Sequence, residues 1–419
     1  MKVLVIGGGG RESAIVWKAA KSNHVEKIYA APGNVGMEGV AELVNIAQTD
    51  IDKLADFAEK ERIDLTIVGP EDALELGIVD MFEARGLKIF GPNKAAAIIE
   101  YSKEFSKDFM KRNAIPTAKY EAFGDKVAAF EYIKGQQRPI VIKADGLAAG
   151  KGVYICESLD EAKAALDDIM EMSKFGESGN RVVVEEYLSG VEVSVLAFVD
   201  GETVAPMISA KDHKQIFDGG KGANTGGMGT VAPNPEYDLK TAEICMETIF
   251  KPTAAALLKE GRPYKGIIFF GLMLTAGGPK VIEYNARFGD PETQVVLPML
   301  DSDLVEVCLA CCDGVLADTE VKITNEGAAV CVILASEGYP GEFQRGYEIS
   351  GISDVTESDD TIIFFAGVKR EGERLLTNGG RVLGVTALGK NVPEAAVKAY
   401  EYAEKIEFTN KYSRKDIGR

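Results

Sequence analysis

The stretch Lys280-Val-Ile-Glu-Tyr-Asn-Ala-Arg-Phe-Gly-Asp-Pro-Glu-Thr293 gathers residue types suited to gripping a cation and a phosphate. Val281, Ile282 and Tyr284 are good strand formers, and alternation along a strand places Glu283, Asn285 and Arg287 on one face. At a rise of ~3.3 Å per residue, successive side chains on that face start roughly 6–7 Å apart. A carboxylate and an amide oxygen are hard ligands for Mg²⁺, and a guanidinium can hold phosphate bidentately. Gly289-Asp290-Pro291 then turns the chain sharply, and Pro291 suits the first position of a new helix. The same residues would also serve as a solvated edge strand with one salt-bridging arginine. The stretch alone leaves both readings open.

Other chemistry-bearing residues narrow the choice. With only His24 and His213 present, neither a histidine-rich metal site nor a Ser-His-Asp apparatus is expected, so chemistry must rest on carboxylates, lysines, arginines and backbone. The six cysteines are not regularly spaced. Cys308, Cys311 and Cys312 resemble half a zinc site, but they sit in the helical pattern Leu304–Cys312 and read as buried small apolar residues. Lys103 and Lys107 share one face of an expected long helix, Lys94–Arg112, where solvated lysines are the alternative. Asp145–Val153 is a small-residue loop between strands whose three glycines can move and bring N–H groups onto phosphates. It is not a Walker loop, because Gly152 and Val153 follow the Gly-Lys pair; a solvated hairpin tip is the other reading. Glu185, Glu186 and Glu192 form an acidic run at a chain reversal, either plain surface or a hinge offering backbone to an adenine edge and Glu192 to ribose hydroxyls. Lys211–Thr230 is long, glycine-rich and without periodicity, which favours a working loop.

The elements that position these residues begin with alternating strands and helices over residues 1–100: strands at Val3–Ile6, Lys27–Ala30, Leu65–Val68 and Leu87–Phe90, helices at Glu12–Ser22, Ile51–Lys60 and Val79–Arg85. Apolar strand runs separated by helices indicate a parallel sheet covered on both faces, with ligands beyond the carboxyl ends of its strands. The first such end, Gly7-Gly8-Gly9-Gly10-Arg11-Glu12, feeds a helix N-terminus and suits an anionic group. A dinucleotide site would place a third glycine where Glu12 or Ser13 stands, and an acidic residue where the second strand ends in Ala30-Ala31-Pro32. A nicotinamide enzyme is therefore disfavoured, leaving a phosphorylated small substrate or a structural turn. Beyond Pro116 come short strands and helices, a hairpin over Gly266–Leu274 and Pro279–Asn285, and a strand-rich unit from about Val321 closed by the helix Val392–Ile406.

The bulk numbers bound the domain count and exclude some partner classes. A chain of 419 residues suggests about two to four domains. A net charge of −18 argues against general nucleic-acid or anionic-membrane binding, while leaving room for a locally basic pocket. The N-terminus lacks a signal-peptide pattern and no apolar run is long enough to span a bilayer, so cytoplasmic residence is expected.

Taken in order, the glycine-loop domain, Ile142-Lys143-Ala144-Asp145-Gly146, the acidic hinge and Glu283-Tyr-Asn285 resemble the ATP-grasp enzymes. Within that superfamily the chain is similar to the phosphoribosylamine–glycine ligase family. The resemblance rests on Val5–Glu12, Val141–Gly152, the Lys211–Thr230 loop and, above all, the unbroken Asn285–Thr293. It runs from residue 1 to the C-terminal helix. It implies an α/β and α+β multidomain fold: an N-terminal parallel α/β domain of the pre-ATP-grasp type (1–105), a two-lobed ATP-grasp domain (106–315, mobile lobe about 118–188) and a small strand-rich C-terminal domain (316–419). It also implies ATP-dependent joining of glycine to 5-phosphoribosylamine through a glycyl phosphate, in purine biosynthesis, by a monomer or weak oligomer. Mg²⁺ or Mn²⁺ would sit on Glu283 and Asn285. Lys103 and Lys143 would contact ATP phosphates, with Gly150 and Gly152 in a lid over them. Glu185, Glu186, Tyr187 and Leu188 would line the adenine and Glu192 the ribose. Gly8, Gly9, Gly10 and Arg11 would meet the ribose 5-phosphate. Asp212 and Arg287 would manage the glycine amino and carboxylate groups, and Asp290 and Glu292 would stand among the substrate-binding residues. Rival readings are another ATP-grasp ligase (a carboxylase or a formate-using enzyme), a nicotinamide oxidoreductase, or a silent nucleotide-binding regulator. The last is expected to lack Glu283, Asn285 or Lys143, all of which stand here.

Overall fold

The computed structural model describes residues 1–147, 152–171, 179–324, 326–355 and 360–419. Five parallel strands, β1 (Lys2–Gly7), β2 (Lys27–Pro32), β3 (Glu42–Leu43), β4 (Leu65–Val68) and β5 (Ile89–Phe90), form the first sheet in the order β3-β2-β1-β4-β5. Val3–Ile6 and Leu65–Val68 are buried throughout, as their unbroken apolar runs require when both sheet faces are covered. The strand order reverses at β1, so the turns after β1 and β4 part company and open a crevice. Arg11 and Glu71 stand at that crevice.

The helix expected over Lys94–Arg112 is two helices, Lys94–Tyr101 and Lys103–Arg112. Ser102 between them is extended (φ −127°, ψ 109°), and its hydroxyl accepts the Phe105 N–H at 3.1 Å. A serine offered as N-cap satisfies a donor that a continuous helix would not leave open, and here the cap wins. The Asp145 carboxylate adds a bond from the Glu104 N–H at 3.0 Å, pinning the new helix start to the lobe that follows.

That lobe is an antiparallel sheet of β6 (Tyr120–Phe123), β7 (Ile140–Ala144), β8 (Val153–Cys156) and β9 (Val182–Glu186), in the order β6-β9-β7-β8, backed by the helices Lys126–Lys134 and Leu159–Leu166. Ile133, Ile140, Ile142, Leu166, Ile169 and Val184 give it a core of its own. Next come β10 (Val191–Asp200), β11 (Thr203–Pro206), β12 (Lys211–Asp212), β13 (Gln215–Phe217), β14 (Lys221–Asn224), β15 (Gly229–Ala232), β16 (Lys265–Thr275) and β17 (Gly278–Asn285). The central sheet runs β11-β10-β16-β17. Opposite β17 the register shifts: Gly271 faces Glu283 but Leu272 faces Val281, leaving Ile282 as an extra residue. This bulge lets Val281 and Tyr284, three apart, both turn into the core, where Tyr284 meets Phe270 edge-on at 5.7 Å. Glu283 and Asn285 point the other way.

The final unit holds β18 (Ala328–Ser336), β19 (Thr361–Phe365), β20 (Val368–Glu371), β21 (Arg374–Thr377), β22 (Arg381–Gly389), the helix Val392–Lys405 and β23 (Lys411–Tyr412). Its sheet runs β12-β15-β18-β22-β19, with β23 also on β18. The glycine-rich stretch 211–230, expected as an aperiodic loop, thus lends two short strands to the C-terminal sheet and folds the hairpin β13–β14 between them. All six cysteines are free, and Cys308 and Cys311 are buried in the helix Leu304–Asp313 as the apolar reading requires.

Candidate active-site cleft

A cleft of about 570 Å³ lies where the lobe, the central sheet and the first domain meet. It brings together Arg11, Lys103, Lys143, Gly152, Glu185, Glu186, Tyr187, Leu188, Glu192, Asp212, Glu283, Asn285, Arg287, Asp290 and Glu292, residues drawn from stretches nearly three hundred positions apart. Gly150 lies outside the described residues. Gly8 and Gly9 line a different, more open hollow of about 670 Å³ shared with Asn34, Lys369 and Arg370, and Gly10 is buried beneath Gln294. Seven cationic and nine acidic side chains line the cleft. That near balance stands in contrast to the chain's net charge of −18.

The lysines are arranged as a buried group. Lys107 Nζ lies 2.8 Å and Lys143 Nζ 3.0 Å from opposite oxygens of Glu185, and all three residues are under 5 % exposed. Lys107 is therefore no solvated lysine, and the break at Ser102 is what turns this face inward. The Glu185 side chain is thus committed to two ammonium groups. Burial pushes Lys107 down to about 8 despite Glu185, and burial lowers Lys103 as well, whose ammonium donates to the Gly146 carbonyl at 2.7 Å. Cations stripped of water in this way gain most from a phosphate that restores their partners. Nearby, the Glu186 carboxylate accepts the Lys119 N–H and pairs with Lys280, both at 3.0 Å, fixing the start of the 186–188 edge.

Glu283 sits opposite these lysines. Burial alone would raise its carboxyl, but Lys214, Lys143 and Lys103 together draw it down to about 2, so it is ionised at any working pH. Lys214 Nζ lies 3.5 Å from Glu283 and 3.8 Å from Glu192. Asn285 donates its amide N–H to Glu100 at 3.1 Å, which leaves the amide oxygen as the end facing the cleft. One ionised carboxylate and one neutral oxygen on the same face fit Mg²⁺ or Mn²⁺, which take few protein ligands and complete their shells with phosphate and water.

Arg287 is tied down more than the sequence reading supposed. Its Nε lies 3.1 Å from Glu71 and its Nη2 2.9 Å from Glu100, while Arg11 reaches Glu12 at 2.5 Å and Glu71 at 3.4 Å. Burial opposes charge on Glu71, yet Arg287 and Arg11 hold it down at about 2; burial raises Glu100 to about 7 despite Arg287. The guanidinium expected to face the substrate thus doubles as a clamp between the first domain and β17. At the first strand end, the Gly9 N–H already donates to the Glu12 carboxylate at 2.6 Å.

Asp212 is different. Its Oδ1 is buried and has no hydrogen-bond partner among the described residues. Burial, followed by the nearby Glu292 carboxylate, holds its carboxyl well above the usual range, and burial also raises Glu292, which accepts from Ser194 at 3.1 Å. Gly227 makes this pocket possible: it has φ +113°, and a Cβ there would lie 2.6 Å from Asp212 Oδ1 and 2.3 Å from Pro291. Arg381, from the C-terminal unit, fastens the wall by donating to the Gly226 carbonyl at 2.6 Å and the Asp290 carbonyl at 2.8 Å. An orphan carboxylate oxygen in an enclosed acidic corner suits a small ammonium group. Sequence reasoning missed Lys214, Glu100 and Arg381, whose roles come from partners far away in the chain.

His213, next to Asp212, donates its backbone N–H to the Gly229 carbonyl and is held neutral, pushed down to about 4 by burial and then by Arg414. A histidine depressed from 6.5 contributes stability that is complete above pH 6.5 and is lost as pH falls toward 4. Urea unfolding at pH 7 and pH 4.5 should therefore show a smaller loss in His213→Gln than in the parent, by on the order of 2 kcal/mol. Equal losses would remove His213 as a source of acid sensitivity.

Comparison with known proteins places the chain. The sequence model of phosphoribosylglycinamide synthetase matches in three consecutive parts: its N domain over residues 1–100, its ATP-grasp (A) domain over 101–293 and its C domain over 329–419. The phosphoribosylamine–glycine ligase of Halalkalibacterium halodurans is 52% identical over 418 residues, covering 100% of this chain and 96% of that protein. That of Caldanaerobacter subterraneus is 51% identical over 417 residues, covering 100% and 99%. Among solved structures, the phosphoribosylamine–glycine ligase of Thermotoga maritima superposes with a TM-score of 0.85 at 34% identity, covering 99% of this chain and 100% of that one. A biotin carboxylase from Campylobacter jejuni, solved with an ATP analogue, shares the fold alone, with a TM-score of 0.78 at 15% identity over 98% and 92% of the chains. Matched domain by domain along almost its whole length, the chain belongs to the phosphoribosylglycinamide synthetase family of ATP-grasp ligases.

Proposed function

We propose that the chain, an ATP-dependent ligase that joins glycine to 5-phosphoribosylamine to give glycinamide ribonucleotide in purine biosynthesis, works through a glycyl phosphate formed in this cleft. The observation that carries the reading is that buried lysines and an ionised Glu283 share one cleft with the orphan oxygen of Asp212. Lys103, Lys107 and Lys143 would bind the ATP phosphates, and the backbone at 186–188 the adenine, with Glu192 on the ribose. Mg²⁺ or Mn²⁺ held by Glu283 and Asn285 would neutralise charge on the phosphates during transfer. Asp212 would take the glycine ammonium, directing the glycine carboxylate toward the γ-phosphate, with Arg287, Asp290 and Glu292 walling the corner. The hollow at Gly8 and Gly9, with Lys369 and Arg370 on its far side, would take the ribose 5-phosphate from side chains and the Gly8 backbone rather than from the Gly9 N–H. The amine of phosphoribosylamine is nucleophilic when neutral, so the cleft needs no catalytic serine, cysteine or histidine. We read the chain as a cytoplasmic monomer or weak oligomer that takes no nucleic acid. Among the described residues no helix is long and apolar enough to cross a membrane.

The test is ADP release with glycine and phosphoribosylamine each omitted in turn, together with the fate of ¹⁸O placed in the glycine carboxylate. ADP is expected only with glycine present, and one ¹⁸O is expected in the released phosphate. Label retained wholly in the product or water would defeat the acyl phosphate, and ADP formed equally without glycine would defeat the substrate assignment.

A further inference from the structure

We propose that Glu100, at the end of the helix Lys94–Tyr101, is the positioning residue that selects which end of the Asn285 amide meets the cation. This rests on the reading of Glu283 and Asn285 as cation ligands. An asparagine amide can turn either its oxygen or its NH₂ toward a ligand, and only the oxygen can coordinate. The Ala286 N–H and the Arg287 guanidinium are fixed donors set against the two Glu100 oxygens, so Oε1, 3.1 Å from Asn285 Nδ2, is held as an acceptor and dictates that the NH₂ faces it. Its other oxygen accepts the Ala286 N–H at 2.6 Å, which fixes the backbone at the end of β17. The Arg287 guanidinium, 2.9 Å from Oε1, holds the carboxylate itself in place. Three consecutive residues of the cleft are thereby set by one buried side chain from another domain, 8 % exposed. Glu100 lines the same cleft, but its two oxygens are engaged by Asn285, Ala286 and Arg287, so its effect on a cation is assigned through Asn285.

Partners that orient a metal ligand in this way are commonly worth about 10–100-fold in metal affinity. The experiment is Mn²⁺ binding, followed by electron paramagnetic resonance with a non-hydrolysable ATP analogue present. Glu100→Gln, which can present its own NH₂ to Asn285, is expected to weaken Mn²⁺ about tenfold or more. In the double variant Glu100→Gln/Asn285→Asp, the ligand at position 285 is a carboxylate with two equivalent oxygens. It needs no orienting, and it can accept from the amide introduced at position 100. This variant is expected to regain most of the lost affinity. A role for Glu100 in fold stability alone would not be repaired by changing residue 285. Parent-like Mn²⁺ binding in Glu100→Gln, or no recovery in the double variant, overturns the proposal. Glu283→Gln serves as the control: if it binds Mn²⁺ as the parent does, the cation site itself is wrong, and if it alone loses Mn²⁺, only the Glu100 assignment fails. Binding of AMP without metal reports that each variant is folded.

Discussion

Glu283→Gln is expected to lower turnover by about two to three orders of magnitude, the usual cost of removing one preorganised electrostatic element from a phosphoryl-transfer site. The substitution keeps size and shape while deleting a charge that three lysines hold ionised down to about pH 2. Among the described residues Lys214 would then keep only Glu192, at 3.8 Å, as an ion-pair partner, and the repulsion among Lys103, Lys143 and Lys214 would lose the carboxylate they share. The fold should survive, because Glu283 lies on a cleft wall while its neighbours Val281 and Tyr284 supply the core. Steady-state rates over a titration of Mg²⁺, beside a thermal melt, make the check. Near-parental turnover in a folded variant would take Glu283 out of the chemistry.

The second large effect is expected at Asp212. Asp212→Asn should raise the glycine KM by about 30- to 100-fold, the loss of one charge-assisted hydrogen bond in an enclosed site. ATP affinity should hardly change, since the lysines and Glu283 are untouched. The direction with pH follows from burial and Glu292, which hold the Asp212 carboxyl well above its ordinary range. Its protonated form cannot balance an ammonium, so glycine should bind better as pH rises through that raised value, and the asparagine variant should lose this dependence. An unchanged glycine KM would move the ammonium site elsewhere.

Much of this was legible in the sequence for local reasons. Four strands of the first sheet are apolar runs that end at glycine or proline, whereas β3 (Glu42–Leu43) had no such signal, and β17 carries its ligands in the only stretch where Glu, Asn and Arg recur at spacing two beside good strand formers. The bulge at Ile282 did not spoil that reading, because it falls before Glu283 and leaves the Glu283–Asn285 spacing intact. What was not legible depends on tertiary partners. Lys214 acquires meaning only beside Glu283 and Glu192, Glu100 beside Asn285 and Arg287, and Arg381 beside Gly226 and Asp290. β12 and β15 span two and four residues of glycine-rich sequence and become strands only because they pair within the sheet built on β18, a tertiary override of weak local propensity. The break at Ser102 had a local signal, a serine placed to cap the helix that follows, and weighing it would have separated Lys103 from the preceding helix.

The shared sheet also bears on how such a protein comes to be made. A ribosome delivers Asp212 and β15 well before β18, which begins only at Ala328, and before Arg381, which braces the substrate wall. While the chain is still emerging, Lys103, Lys143, Glu283 and Asn285 are already made, whereas β15, the ladder partner of Asp212, still lacks its own partner β18. On the site reading proposed above, a message cut short ahead of Ala328 would keep the lysines and Glu283 but leave the corner around Asp212 without β18 and without the brace of Arg381.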